Sequence, residues 1–187
     1  MTKDALDLAS TFPELNEIVD DGLRRAVATV YERLWAKSAY ERLADVPVAV
    51  LWDYPAVKHT QAMVKLALAA ARIFEQVHGA KLDRDHLIAG ALLMEAANVV
   101  EFRPKPGGGT ETTEIGRAGP HGWLAANLAL EAGAPMPVVH IVLAHSPNSG
   151  KAPNTPEAQL LHWVCQASVN SFRRDAWTRK VMHYQGS

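Results

Sequence analysis

One cysteine, Cys165, stands in a chain of 187 residues, so no internal disulfide can staple the fold. A lone thiol is compatible with a reducing compartment, and a cytoplasmic protein is expected. No apolar run approaches the roughly 20 residues that a membrane-spanning helix needs. The opening stretch MTKDALDLAS also lacks a basic segment followed by an apolar one, the pattern of a secretory signal. Neither charge sign is in excess, with 19 basic against 20 acidic residues. Nothing general therefore draws the chain to nucleic acid or to an anionic membrane, and neither partner is expected. Three consecutive glycines, Gly107 to Gly109, are not followed by the Gly-Lys-Ser/Thr ending of a phosphate-cradling loop, which removes that nucleotide-binding motif.

A convincing series of alternating β-branched strands is missing too. Ala and Leu recur instead at helical spacing, which predicts an all-α fold built as one compact bundle. Helices are expected over residues 14–44, 56–78, 84–101, 120–132, 137–146 and 156–182. Gly79 and Gly133 are placed to close helices, Pro120, Pro137 and Pro156 suit first turns, and Thr155 suits an N-cap. Residues 102–119 and 146–154 are rich in Gly, Pro and hydroxyl side chains and are expected as loops. The longer of them is a candidate lid.

The stretch AGALLMEAANVV raises the functional question, because it buries Glu95 in an apolar run. A charge taken out of water without a partner is costly, so the carboxylate needs a cation, hydrogen bonds or a metal. Positions three, four and seven apart share a helix face. His59 falls in line with Met63, Leu66, Ala70, Ile73 and Val77, a stripe expected to be buried. Leu87, Ala91, Met94 or Glu95, and Asn98 form another; His121 aligns with Leu124, Ala125 and Leu128; His145 aligns with Val138, Ile141 and Val142. His140 is rotated away from that last face, and His78, His86, His162 and His183 lack such alignment, which suits surface or supporting roles. Inward imidazoles and a carboxylate on separate helices form a set that Zn, Fe, Mn, Co or Ni accepts. Histidines on apolar stripes also occur as hydrogen-bonded core residues, and Met63 and Met94 also serve as packing.

Three stretches, VKHTQAMVKLA, LIAGALLMEAAN and HGWLAANLALEAGAPMPVVHIVLAHS, resemble the histidine-bearing helices of the HD-domain superfamily. These are helical proteins that include metal-dependent phosphohydrolases and some iron oxygenases. The resemblance covers Tyr54 to Phe172. It implies an HD-domain-like unit over residues 51–182, preceded by an N-terminal helical extension over residues 1–50. The mixed charge of DGLRRAVATVYERLWAKSAYERL suits packing on that unit or pairing with a second copy. The family's His-Asp pair is replaced by Met94 and Glu95, Asn98 stands where a lysine is often found, and Cys165 takes the place of the last aspartate. Asp175 is the alternative if the register differs.

Carried over by resemblance, the first metal site becomes a vestige made of His59, Met94 and Cys165 around Glu95. The second keeps Glu95, His121 and His145 as ligands of one divalent transition metal. The function implied is a divergent metal-dependent hydrolase acting on a small, anionic substrate, with His59 and Glu95 catalytic. Lys58, Arg103 and Arg117 are candidate substrate-binding cations, with Lys105 a weaker one, and Trp52, Tyr54 and Trp123 are candidate pocket walls. Two other classes remain open. One is a non-hydrolytic enzyme, an iron oxygenase, lyase or isomerase, at the same pocket. The other is a degenerate, non-catalytic ligand-binding domain in which Glu95 is paired with a histidine.

Overall fold

In the computed structural model, residues 3–146 and 149–172 are described. The fold is all-α, with helices α1 (Leu8–Thr11), α2 (Asp21–Lys37), α3 (Ala56–His78), α4 (Arg84–Leu93), α5 (Asn98–Glu101), α6 (Glu114–Ala118), α7 (Trp123–Glu131), α8 (Met136–Ala144) and α9 (Pro156–Phe172). Two antiparallel hairpins interrupt them: β1 (Pro47–Ala49) with β2 (Trp52–Pro55), and β3 (Phe102–Pro104) with β4 (Thr110–Thr112).

Helix α4 is the axis of the molecule. Every residue from Leu87 to Leu93 is buried, because α2, α3, α8 and α9 all pack around it. A helix apolar on all sides belongs in the centre of a bundle. Asp83 caps its start by accepting the His86 amide at 2.9 Å. The adjacent Asp85 accepts the amides of Val19 and Asp20 and so ties the N-terminal segment to α4. One apolar core runs from Leu8 to Cys165. No described helix is long and apolar enough to cross a membrane.

Several local expectations change. The predicted helix over residues 14–44 is shorter, starting as a 3-10 turn at Pro13–Glu17 and becoming α-helical only from Asp21, where Asp20 caps it. The stretch 84–101 breaks after Leu93 into tight turns, with the Ala96 amide bonded to Leu93 and the Asn98 amide to Glu95. The loop over 102–119 contains β3, β4 and α6; Thr113 caps α6 through the Gly116 amide at 3.2 Å. On α3 the buried face is His59, Thr60, Met63, Val64, Ala67 and Ala71. Leu66, Ile73 and Val77, expected inside, are 46%, 51% and 68% exposed. The buried face is turned about the helix axis from the expected stripe, toward Thr60, Val64, Ala67 and Ala71. The remaining part of the predicted helix 156–182, with Asp175 and His183, lies outside the described residues.

Candidate metal centre

The break after α4 is what presents Glu95. Within the turn its carboxylate is 94% buried, and Asn98 donates to Oε2 at 2.8 Å. Tyr31 donates to the carbonyl of Leu92 at 2.7 Å, satisfying an acceptor that the ending helix leaves free. Three imidazoles then face the carboxylate. His121 Nε2 is 3.4 Å from Oε2, while His59 Nε2 and His145 Nε2 stand 3.7 and 3.9 Å from Oε1. Separations of this size exceed an ordinary N–H···O bond and leave room for an ion between the groups.

Two sets share Glu95. In each of the groups Glu95, His121, His145 and His59, Glu95, Cys165, the ligand atoms lie within 4.8 Å of one another. Their hydrogen bonds separate the two. His121 Nδ1 is 2.9 Å from Glu101 Oε2, and a carboxylate only accepts, so Nδ1 carries the proton there. His145 Nδ1 lies 2.7 Å from the Val142 carbonyl and donates to it. Both rings therefore turn Nε2 inward, as ligating histidines do when a partner fixes the other nitrogen. His145 Nε2 is also buried with no hydrogen-bond partner. A metal ion fits that orphaned donor set.

The other set fits less well. His59 is fully buried, with Nδ1 3.0 Å from Ser168 Oγ, and Cys165 Sγ is 3.9 Å from its Nε2. Burial, aided by the charge of Glu95, pushes the Cys165 thiol well up, and the Ser168 hydroxyl, which can donate or accept, leaves the tautomer of His59 unfixed. Met94 is fully buried in the apolar core.

Electrostatics follow the same geometry. Burial would raise the pKa of Glu95, but His121, with His59 and His145, outweighs it and holds the carboxyl well below its usual range. Burial would lower His121, yet the charge of Glu95 and the hydrogen bond to Glu101 raise it to about 10. His145 moves the other way, to about 4, because burial and the nearby His121 both oppose its protonation. Burial also lowers His59. Without an ion, the cluster is a buried carboxylate neutralised by a protonated His121.

Backbone shape lets the two histidines meet. Gly122, at φ 86°, occupies the left-handed region, and a Cβ there would fall 2.7 Å from the Val142 carbonyl oxygen and 3.1 Å from His145 Cε1. Only glycine lets the chain turn from His121 into α7 against His145.

Glu95, His121 and His145 line an open cavity of about 510 Å³ whose walls include Trp52, Phe102, Cys165 and Gln166. None of the expected cations is among the residues that line it. Lys58 and Lys105 are exposed, Arg103 pairs with Glu111 at 2.7 Å, and Arg117 donates to the Thr112 carbonyl. Tyr54 stacks on Phe172 at 4.1 Å, and Trp123 is not part of the wall. His140 accepts the Asn154 amide, and His162 lies 3.2 Å from the Ala144 carbonyl. Sequence reasoning did not find Glu101, which is 95% buried beside His121, nor Ser168. On an unbroken helix Glu101, six positions after Glu95, would face away; only the break brings it round.

Comparison with known proteins adds one relative. The chain is 26% identical over 163 residues to a dihydroneopterin 2',3'-cyclic phosphate phosphodiesterase of Methanocaldococcus jannaschii, a match covering 81% of this chain and 64% of that protein. The chain thus spans somewhat less than two thirds of the relative's length. No family model matches it, and no solved structure does at a significant level. A distant relative is therefore a phosphodiesterase, and the chain has His/Glu groups suited to a metal.

Proposed function

We propose that this chain is an HD-domain-like, metal-dependent phosphodiesterase of small molecules, with Glu95, His121 and His145 holding one divalent transition metal. One observation carries the reading: two histidines, each fixed through Nδ1, turn Nε2 toward the same buried carboxylate at the wall of a cavity. The relative's activity on a cyclic phosphodiester is consistent with it. When bound, the ion would acidify a water molecule and polarise a phosphoryl oxygen.

The protein's own groups do the rest. Glu95 supplies the negative charge that holds the ion, Asn98 steadies its Oε2, and Glu101 keeps His121 in the ligating tautomer. His59 lies behind Glu95 and is sealed from solvent, so we give it the task of positioning that carboxylate rather than transferring a proton. Trp52 and Phe102 offer apolar surface to the organic part of a substrate.

The test is hydrolysis of bis(p-nitrophenyl) phosphate by protein loaded with manganese, zinc or cobalt. Turnover that a chelator abolishes and added metal restores is expected. Metal-loaded protein that cleaves no phosphodiester would overturn the proposal, and oxygen uptake with ferrous iron would point to the oxygenase reading.

A further inference from the structure

Glu101 has a second oxygen that the metal centre does not use. Oε2 faces His121, but Oε1 is buried and has no hydrogen-bond partner, while the residue lines the cavity beside Glu95. Its backbone is held in place: the Thr113 amide and hydroxyl both donate to the Glu101 carbonyl, at 2.9 and 3.2 Å. A buried carboxylate oxygen without a donor is costly to leave unpaired. Oε1 is closed off in the ligand-free arrangement, so a bound molecule supplies the donor only once the Glu101 side chain turns that oxygen toward the cavity it lines.

Charge points the same way. Glu95 and Glu101 together carry two negative charges, which one divalent ion would only cancel. Among the described residues no lysine or arginine lines the cavity. Among the described residues, therefore, no cation meets a second anionic charge on the ligand.

We infer that Glu101 determines specificity: Oε1 accepts a hydrogen bond from a hydroxyl or N–H group on a singly charged phosphodiester, and its charge disfavours doubly charged monoesters. The inference rests on the phosphodiesterase reading above. Replacing Glu101 by glutamine converts the acceptor to a donor. The His121 Nδ1–H would keep the amide oxygen, so the NH₂ group would take the place of Oε1.

Calorimetric binding to manganese-loaded protein at pH 8 tests it, with metal content measured alongside. Wild-type protein is expected to bind 2-hydroxyethyl methyl phosphate about tenfold more tightly than ethyl methyl phosphate, which lacks the hydroxyl and adds no bulk. In Glu101→Gln that preference disappears, and affinity for methyl phosphate relative to dimethyl phosphate rises about tenfold. Equal binding of 2-hydroxyethyl methyl phosphate and ethyl methyl phosphate by metal-loaded wild type overturns the inference alone and needs no variant. Ratios unchanged by Glu101→Gln, with metal retained, also overturn it, since a merely structural role would weaken all probes alike. Wild-type protein that takes up no metal and binds none of the probes overturns the phosphodiesterase reading and this inference with it.

Discussion

At the scale of single residues, Glu95 decides the chemistry because it is the carboxylate common to both candidate sets. His121 beside it sets a pH dependence. Its folded pKa, about 10, is above the ordinary 6.5. Its contribution to stability is therefore fully present below about pH 6.5 and is lost as pH rises through about 10. Metal-free protein should melt at progressively lower temperature across that window, and saturating metal, which replaces the proton on Nε2, should flatten the trend. Metal affinity should correspondingly rise with pH over the same range in competition titrations. A melting temperature independent of pH between 7 and 10 without metal would contradict the charged His121. Cys165 supplies a simpler check: burial keeps its thiol protonated, so iodoacetamide should label it in denatured but not in native protein. That His59, Glu95, His121 and His145 face inward was legible from helical spacing, while their grouping into one site was an expectation drawn from the HD-domain resemblance. The contribution of Glu101 was not legible, because it depends on a break that apolar periodicity does not announce.

At the scale of elements, the break after α4 and the turn before α7 are the two places where the backbone makes the centre. Tyr31→Phe removes the hydroxyl that satisfies Leu92 and should cost about 1–2 kcal/mol in denaturant unfolding, the price of a buried acceptor left unpaired. Gly122→Ala forces a Cβ onto the Val142 carbonyl. It should weaken metal binding at least about tenfold while leaving helix content intact, since the strain falls on the approach of His121 to His145. Unaltered affinity in that variant would mean the turn does not position the ligands. On α3, the sequence pattern identified a stripe but assigned too much of it to the core. Met63→Ala, at a fully buried position, should cost about 2–5 kcal/mol. Ile73→Glu, on the exposed end, should change stability by no more than about 0.5 kcal/mol. The reverse order would mean that α3 is rotated from its described setting.

At the scale of the whole molecule, an apolar α4 wrapped by α2, α3, α8 and α9 holds the histidine-bearing elements around one carboxylate. The all-α class was legible because Ala and Leu recur at helical spacing throughout and glycines and prolines mark the ends. The hairpins and α6 within 102–119 were not, since three-residue strands carry too little alternation to register against a Gly- and Thr-rich background. The N-terminal segment joins the same apolar core through residues such as Phe12, Leu15, Ile18 and Leu34, and the Asp85 contacts pin its approach to α4. The most direct test of the account is elemental analysis of wild type and Glu95→Gln purified without chelator, with circular dichroism on both. Close to one transition-metal ion per chain is expected in the wild type and almost none in the variant at equal helix content. Equal metal content in the two, or none in a folded wild type supplied with metal, would contradict it.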